Sequence, residues 1–406
     1  MNTTQHRPLD KLVVLDLTHM LSGPYGTMML SDLGARTIKV EPPGPGEGTR
    51  ELLASSDLYS RGGMGAYFLT LNRGKESVAL DLKSTEGLEV FYDLVRHCDI
   101  VFDNFSAGVT RRLRIDHEAL SAINPRIITC TVTGFGETGP DTQRPAFDQV
   151  VQAMGGGMSI TGEASGAPIR AGIPIGDLGG GIFGAMGVLA AVVARHSTGL
   201  GQHVDVAMLD VQVSLLNYMA TMYLMSGEVP GRIGNGHFVH VPYNTYPTQD
   251  GFVVVACIGD AFFERFVQML PLPELLNPAY ARQPARLAAK SHIDAAITCA
   301  FAEHSTAYWL DALRQARIPC GPVNTVDQAL SDPQIRARDM VIRVPLASGE
   351  TVSMPGIPMK FSASGTPAFT SPPRVGQHSH AVLAEMLGYT QARIDALCAN
   401  GSVAGA

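Results

Sequence analysis

Cysteine is scarce in this chain of 406 residues, and its six cysteines lie far apart. None stands in a CxxC pair or beside histidines at the spacing of metal ligands, so neither a disulfide framework nor a metal site is expected. Reduced thiols are typical of a cytoplasmic protein. The N-terminal residues also lack the apolar segment of a signal peptide, which argues against secretion.

Charge is also limited, because charged residues make up 17% of the chain and the formal net charge is -7 at pH 7. Lysine and arginine form no cluster, which argues against a nucleic-acid partner and against a polybasic membrane surface. The most apolar segment, residues 178–194, contains five glycines and is shorter than a typical membrane span. A buried core helix is therefore predicted there, and no membrane partner.

Three common ligand-binding and catalytic motifs are missing. Residues 44–48 are rich in glycine, but their prolines remove amide donors and the spacing is not GxGxxG. Residues 73–75 (Arg-Gly-Lys) lack the first glycine and the Ser/Thr of a P-loop, and no GxSxG elbow occurs. Dinucleotide binding, nucleotide hydrolysis and serine hydrolase chemistry therefore have no support in the sequence.

Short apolar segments alternate with helical patterns in the N-terminal half of the chain. This alternation predicts an α/β fold in which a doubly wound parallel sheet forms a large domain. Ligands bind such sheets beyond the carboxyl ends of the strands. Strands are predicted at 12–17, 37–41, 77–81, 100–102, 127–132 and 204–206, with one Met-rich helix at 209–225.

The sequence pattern changes near Val229. Paired strands at 243–247 and 251–257, followed by helical segments from 262 to 315, predict a smaller α+β domain. The C-terminal part returns to the large domain, with a strand at 341–344 and a final helix at 381–387. The predicted boundaries are 1–225 for the large domain, 226–325 for the small domain and 326–406 for the return.

Asp177 is a lone carboxylate at the start of the long apolar segment. Gly176 and the glycines at 179–181 leave room for a ligand to approach the backbone. Aspartate is a favoured helix N-cap, so capping alone explains the residue. A carboxylate in a partly apolar pocket is equally a competent nucleophile, because it needs no deprotonation at neutral pH. The residues alone leave both interpretations open.

A series of motifs in fixed order resembles family III CoA-transferases, the group that includes formyl-CoA:oxalate and carnitine CoA-transferases and the 2-methylacyl-CoA racemases. The resemblance covers residues 8 to about 387. Among its motifs are Val-Leu-Asp-Leu-Thr-His (14–19), Leu-Asn-Arg-Gly-Lys (71–75), Asn-Phe (104–105), Gly-Phe-Gly (134–136), Pro-Ile-Gly-Asp (174–177), Thr-Gly-Leu-Gly-Gln (198–202), Arg-Ile-Gly-Asn (232–235) and Pro-Cys-Gly-Pro-Val (319–323).

The resemblance implies a role for Asp177 and a set of binding residues. Asp177 matches the nucleophile, which carries CoA as an aspartyl thioester between a donor acyl-CoA and an acceptor acid. Lys39, Lys75 and Arg112 would bind phosphates. The positions that match CoA-contacting segments are His19, Met20, Lys39, Leu71, Asn72, Lys75, Asn104, Phe105, Arg112 and Phe135. Acceptor-binding candidates are Leu21, Arg61, Arg170, Arg232 and the loop Gly234, Asn235, Gly236 and His237, which matches a loop that covers the site in this family.

Two other functions remain as alternatives. Racemases of the group carry a histidine directly before the aspartate that matches Asp148, whereas this chain has Phe147, so proton transfer loses its second base and CoA transfer is favoured. The other alternative is a non-catalytic acyl-CoA-binding protein. The family also implies a homodimer of interlocked rings. For the substrates, succinyl-CoA as donor and itaconate or a similar short dicarboxylate as acceptor are expected, and Leu21 argues against oxalate.

Overall fold

The computed structural model of the protein describes residues 6–365 and 369–405. Its strands are β1 (Val13–Asp16), β2 (Arg36–Glu41), β3 (Ser60–Arg61), β4 (Met64–Gly65), β5 (Glu76–Leu80), β6 (Ile100–Asp103), β7 (Ile128–Thr133), β8 (His203–Ala207), β9 (Tyr243–Pro247), β10 (Phe252–Ala256), β11 (Cys320–Pro322), β12 (Val341–Pro345), β13 (Thr351–Pro355) and β14 (Val403–Ala404). Its α-helices are α1 (Ser22–Asp32), α2 (Ala66–Leu71), α3 (Thr85–Arg96), α4 (Val109–Leu113), α5 (His117–Ile123), α6 (Asp148–Met154), α7 (Gly157–Ile160), α8 (Ile175–Thr198), α9 (Met208–Leu216), α10 (Tyr218–Ser226), α11 (Asp260–Met269), α12 (Gln283–Ala288), α13 (Lys290–Phe301), α14 (Thr306–Gln315), α15 (Val326–Ser331), α16 (Pro333–Ala337), α17 (Ser379–Leu387) and α18 (Gln391–Ala399).

The described chain folds as two compact units. The larger unit contains the residues up to Gly157, Arg170–Ser226 and the residues from Arg336 onward. The smaller unit contains Met158–Ile169 and Gly227–Ile335. The predicted domain boundaries at 225 and 325 stay a prediction.

The larger unit is built on a sheet with the strand order β14-β5-β2-β1-β6-β7-β8. All neighbours in it are parallel except β14, which pairs antiparallel with β5. The predicted α/β fold with a parallel sheet is confirmed. From β1 the chain continues to β2 and β5 on one side, and then returns to β6 on the other side. The strand order therefore reverses between β1 and β6, which is where ligands bind in open α/β sheets.

Helices cover both faces of this sheet, so its strands are buried on both sides. Leu15 belongs to the core that α3 covers with Phe91 and Leu94. Val14, on the opposite face of the same strand, belongs to the core that α1 and α8 cover with Leu30 and Val188. This alternation follows from the two-residue period of a strand, and it directs Asp16 toward the face of α1 and α8.

Helix α8 is long and apolar enough, by length and composition, to cross a membrane. Its inner face packs on the sheet core through Ala185, Val188 and Ala191. Ile182 and Met186 on its outer face are exposed. The core position of the inner face agrees with the predicted core helix.

Two predicted elements need correction. The single helix predicted at 209–225 is wrong, because Asn217 has a φ of 48° and separates α9 from α10. With a ψ of -120°, that conformation lies outside the helical regions, so the helix is interrupted there. The helix predicted as the last one, 381–387, is followed by α18 and β14. β14 has two residues, too few for a periodic pattern.

The smaller unit contains a three-stranded antiparallel sheet in the order β11-β10-β9. The strands predicted at 243–247 and 251–257 are therefore confirmed as a pair. Trp309 and Phe301 stack in its core with ring centroids 4.3 Å apart, and the Trp309 indole donates a hydrogen bond to the Phe301 carbonyl at 2.9 Å.

Candidate active site

A cavity of about 520 Å³ lies in the larger unit, where β1, β6 and β7 end. The residues that follow these strands form much of its wall, as expected for the position where the strand order reverses. Of the predicted site residues, the cavity brings together His19, Met20, Leu21, Asn104, Phe105, Phe135, Arg170 and Asp177.

Asp177 stands in the first turn of α8, but it does not cap the helix. Pro174 occupies the N-cap position and makes no side-chain cap. The cap comes from Asp148, whose Oδ1 accepts hydrogen bonds from the amides of Gly176 at 2.7 Å and Asp177 at 3.3 Å. The capping interpretation of Asp177 is therefore wrong, since another carboxylate satisfies these amides. Among the residues that the structure describes, none donates a hydrogen bond to the Asp177 carboxylate.

The surroundings of Asp177 favour its neutral form. Burial, followed by the charge of Asp148, raises the pKa of Asp177 to about 6. The carboxylate is therefore mostly ionised at neutral pH, but its charge is poorly stabilised. A carboxylate in that state is more basic than an exposed one, which favours nucleophilic attack.

Asp148 is itself held in place by a buried glutamine. Gln152 donates from Nε2 to Asp148 Oδ2 at 2.7 Å, and its Oε1 accepts from the amide of Ala171 at 2.9 Å. Gln152 is buried in α6, the helix that begins at Asp148. The start of α8 and the segment before it are thus fixed to α6 by one connected set of hydrogen bonds.

Glycines allow α1 to approach α8 at backbone distance. A Cβ at Gly181 would lie 2.5 Å from the carbonyl oxygen of Ser22. A Cβ at Gly26 would lie 2.8 Å from the carbonyl oxygen of Gly181. Both contacts are too short for any side chain, so glycine is needed at each position. The N-terminus of α1 is thereby brought beside the first turns of α8.

The loop after β1 is tied to the loop after β6. The His19 amide donates to Asn104 Oδ1, and Asn104 Nδ2 donates to the His19 carbonyl, both at 2.8 Å. Burial, together with the charge of Lys39, lowers the pKa of His19, so its ring is neutral at pH 7. Met20 follows with a φ of 62°, in the left-handed region. The side-chain amide of Asn104 thus holds the backbone of the cavity wall.

A second cavity of about 350 Å³ shares His19, Met20 and Phe105 with the first. Leu80, Leu82 and Leu113 contribute apolar side chains to it, and Lys83 contributes an ammonium group. These residues are not among those predicted from the sequence. The segment 80–83 lies at the end of the strand predicted at 77–81, so the rule that ligands bind at strand ends could have indicated it.

Four of the predicted CoA-contacting residues lie in the interior. Leu71 and Asn72 are buried. Lys39 donates to the Thr18 carbonyl at 2.7 Å, and Lys75 forms a fully buried ion pair with Asp16 at 2.8 Å. Neither ammonium group reaches the cavity wall. The phosphate roles predicted for these two lysines have no counterpart in their contacts.

The other predicted residues also lie outside the cavity. Arg112 is exposed on α4, and Arg61 donates to the carbonyls of Asp57 and Ser60. Arg232 donates to the carbonyls of Glu163 and Gly166, within the smaller unit.

The predicted covering loop, Gly234 to His237, belongs to the smaller unit. In this loop, His237 Nδ1 accepts from the amides of Val239 and His240 at 2.9 and 3.0 Å.

Several cavity residues escaped the sequence analysis. They share no motif, because they lie on separate helix starts and loops that only the fold brings together. The Arg144 guanidinium lies 5.4 Å from the centroid of the Phe135 ring and 3.3 Å from Asp141 Oδ2. The missed residues of the first cavity include Ser22, Tyr67, Arg144 and Asp148.

These features define a doubly wound α/β enzyme with an uncompensated carboxylate at the reversal of the strand order. The sequence model of CoA-transferase family III matches residues 9–379. The chain belongs to that family, as the resemblance implied. It is therefore an enzyme that uses CoA thioesters as substrates, not only a binding protein.

Relatives and a solved structure agree with this assignment. The chain is 41% identical over 362 residues to the acetyl-CoA:oxalate CoA-transferase of Acetobacter aceti, covering 89% of this chain and 90% of that one. It is 36% identical over 386 residues to the succinate–glutarate CoA-transferase of Agrobacterium fabrum, covering 93% and 96%. A CAIB/BAIF family protein from Brucella suis superposes with a TM-score of 0.84 at 35% identity, covering 94% of this chain and 100% of that one.

No cluster of three or more His, Cys, Asp or Glu side chains is arranged to hold a metal ion within residues 6–365 and 369–405.

Proposed function

We propose that the protein transfers CoA from an acyl-CoA donor, with succinyl-CoA favoured, to a short dicarboxylic acid, and that Asp177 is the nucleophile. The observation that carries this proposal is the geometry of Asp177. Its carboxylate lines the cavity, its pKa is raised by burial and by Asp148, and a second carboxylate performs the capping that would otherwise occupy it.

The chemistry needs only carboxylates and the thiol of CoA. An Asp177 oxygen attacks the carbonyl carbon of the donor thioester, the C–S bond breaks, and CoA leaves as a thiolate. The thiolate attacks the Asp177 carbonyl of this mixed anhydride, which releases the donor acid and leaves CoA on Asp177. The acceptor carboxylate attacks that thioester and again releases the thiolate. The thiolate finally attacks the acceptor acyl carbon and frees Asp177.

The two cavities offer separate environments for the two ends of acyl-CoA. The cavity with Asp177 would hold the thioester, and the leucine-lined cavity would hold the apolar face of the adenine ring. His19, Met20 and Phe105 belong to both walls and would lie along the linker between them. Lys83 and Arg144, which line the cavities, are better placed for phosphates than the buried Lys39 and Lys75.

A dicarboxylate acceptor needs a cation for its distal carboxylate. Arg170 lines the cavity of Asp177, and its guanidinium donates to the carbonyls of Ala171 and Gly172 at 2.9 and 3.3 Å. An arginine can bind the distal carboxylate with two parallel hydrogen bonds. Dicarboxylates also appear in the names of the two relatives, oxalate in one and glutarate in the other. We favour itaconate or a similar methylene or methyl dicarboxylate.

A panel of acceptors tests the function. With succinyl-CoA as donor, transfer to itaconate, mesaconate, citramalate, malate, glutarate and oxalate is compared with transfer to carnitine by chromatography of the acyl-CoA products. We expect transfer to dicarboxylates, the highest kcat/KM for itaconate, and none to carnitine, because its quaternary ammonium would face Arg170.

Two outcomes of this panel would contradict the proposal. Transfer to carnitine alone would exclude a dicarboxylate site. Uptake of solvent deuterium beside the thioester, without CoA transfer, would support the racemase alternative instead. The same assay with acetyl-CoA in place of succinyl-CoA tests the donor.

We also propose that two chains associate as a homodimer. The outer face of α8 and the last turn of α10 expose a group of large apolar side chains, and such faces mark interaction surfaces. The group consists of Ile182, Met186, Val193, Leu224 and Met225. A second copy of the chain is the occupant that the family resemblance implies. Sedimentation is expected to give twice the 43.2 kDa mass of one chain, and a monomer at micromolar concentration would contradict it.

A cytoplasmic location is proposed with the same function. Its support is that all six cysteines are free thiols, as expected in a reducing compartment.

A further inference from the structure

One hydroxyl in the wall of the cavity lacks a partner. Ser22 is 3% exposed, and within the described part of the chain its Oγ makes no hydrogen bond. Buried polar side chains nearly always form hydrogen bonds, so a buried hydroxyl without one needs an explanation. Ser22 and Asp177 line the same cavity.

Ser22 is also the first residue of α1, an 11-residue helix that has no cap of its own. Leu21 occupies the N-cap position without a side-chain hydrogen bond, and the first turn contains no acidic residue. Within the described residues, neither the N-cap nor the first turn supplies a side chain that compensates the positive end of the helix dipole. α8 differs in this respect, because Asp148 accepts from its first amides.

The hydroxyl lies against the same face of α8 that carries Asp177. A Cβ at Gly180 would lie 2.6 Å from Ser22 Oγ, so the hydroxyl fills the space that a side chain at Gly180 would take. Gly180 follows Asp177 by three residues, and residues three apart are neighbours on one helix face. The unpaired donor is thus within about one turn of the proposed nucleophile.

We propose that Ser22 is a catalytic residue, an inference that rests on the function proposed above. Its hydroxyl donates a hydrogen bond to the carbonyl oxygen of the donor or acceptor acyl group, while that oxygen gains negative charge in the two tetrahedral intermediates that form at the acyl carbon, when Asp177 attacks the donor and when the thiolate attacks the acceptor. The proton stays on Ser22 throughout. The ligand of this site is therefore an oxyanion, which the uncapped end of α1 also stabilises.

The missing partner agrees with this role. A donor that is kept for an oxyanion has no acceptor until substrate is bound. If Ser22 only filled space in the core, alanine could replace it without loss of activity. If its hydroxyl stabilised the fold, that hydroxyl would form a hydrogen bond within the protein.

Ser22→Ala tests the proposal, with Ser31→Ala as the matched control. Ser31 lies on the same helix, is also buried, and donates to the Gly74 carbonyl at 3.2 Å. We expect Ser22→Ala to lower kcat about 100- to 1,000-fold with KM changed less than about twofold. Its Tm is expected to be unchanged or higher, because an unpaired buried hydroxyl is removed. Ser31→Ala is expected to lower Tm and leave kcat unchanged.

A wild-type kcat in Ser22→Ala would overturn the proposal, as would a loss of activity that only follows a lower Tm. Trapping separates this failure from failure of the proposed function. If wild-type protein forms a hydroxylamine-sensitive acyl-enzyme at Asp177 while Ser22→Ala matches its rate, only the role of Ser22 is wrong. If wild-type protein forms no such species, the proposed function is wrong.

Discussion

Asp177→Asn is expected to abolish CoA transfer, with kcat lower by about 10⁴-fold or more, while CoA binding persists. A neutral amide cannot attack the thioester, and the described cavity offers no second carboxylate in an equivalent position, because Asp148 is engaged by the amides of Gly176 and Asp177 and by Gln152. Transfer is measured by chromatography of acyl-CoA products, and binding by calorimetry with CoA. Asp210→Asn, an exposed carboxylate in the first turn of α9, is the matched control and should retain activity.

The same variant is expected to be more stable than the wild type at pH 8. The pKa of Asp177 is raised from 3.8, the ordinary value of an aspartate in an unfolded chain, to about 6 in the folded protein. Folding therefore favours the protonated form. Its contribution to stability is complete below pH 3.8 and is lost as the pH rises through 6. Asparagine resembles the neutral form at every pH, and the gain at pH 8 is at most about 3 kcal/mol. A less stable variant at pH 8, by chemical denaturation, would contradict this account.

The pKa also sets the pH dependence of the reaction. Protonation removes the nucleophile, so kcat/KM of the wild type is expected to fall as the pH drops below about 6. If kcat/KM instead fell only near pH 4, as for an ordinary carboxylate, the pKa of Asp177 would not be raised in the working enzyme.

The role of Asp177 shows what local sequence can and cannot predict. Its position at the start of an apolar helix can be predicted from the sequence, because residues 178–194 carry no charge. The sequence leaves capping open for Asp177, because the actual cap, Asp148, lies 29 positions earlier in the chain and reaches α8 only in the folded state. A capping box is local and readable, whereas a cap supplied by another helix is not.

The sheet was predictable for a related reason. Its strands are short apolar segments separated by helices, and parallel strands buried on both faces read as continuous apolar runs. β14 escaped because two residues carry no period. The side chains of the cavity were not predicted, because Tyr67 and Ser22 come from the starts of two helices and Arg144 from a loop, and no spacing rule connects them.

Lys75 shows how a distant contact bears on a role that the family resemblance implies. The resemblance implies a phosphate ligand at this position, at the end of the Leu-Asn-Arg-Gly-Lys motif. The partner that determines its role, Asp16, is 59 positions away and lies on β1. β1 presents Asp16 to the face of α1 and α8, and the ammonium of Lys75 reaches it there with further hydrogen bonds to Thr27 and Asn72. The tertiary contact therefore gives Lys75 a role in the fold, and the phosphate role stays a prediction.

Breaking this ion pair is expected to have the largest effect on stability. Asp16 and Lys75 are both fully buried. Burial would raise the pKa of Asp16, but Lys39 and Lys75 outweigh it and lower that pKa to about 2. Burial lowers the pKa of Lys75 to about 8, against the charge of Asp16. Both groups are thus charged between about pH 2 and pH 8, so the pair is intact at neutral pH.

Lys75→Met is expected to lower the free energy of unfolding by about 3–5 kcal/mol at pH 7, because Asp16 is left buried without its closest cation. Urea denaturation measures it. Asp16→Asn/Lys75→Met should recover part of this loss, since no unpaired carboxylate remains. In the exposed pair Arg314–Asp311, at 3.9 Å, Arg314→Met should cost no more than about 1 kcal/mol. If Lys75→Met instead kept its stability and only raised the KM for acyl-CoA, Lys75 would be a phosphate ligand after all.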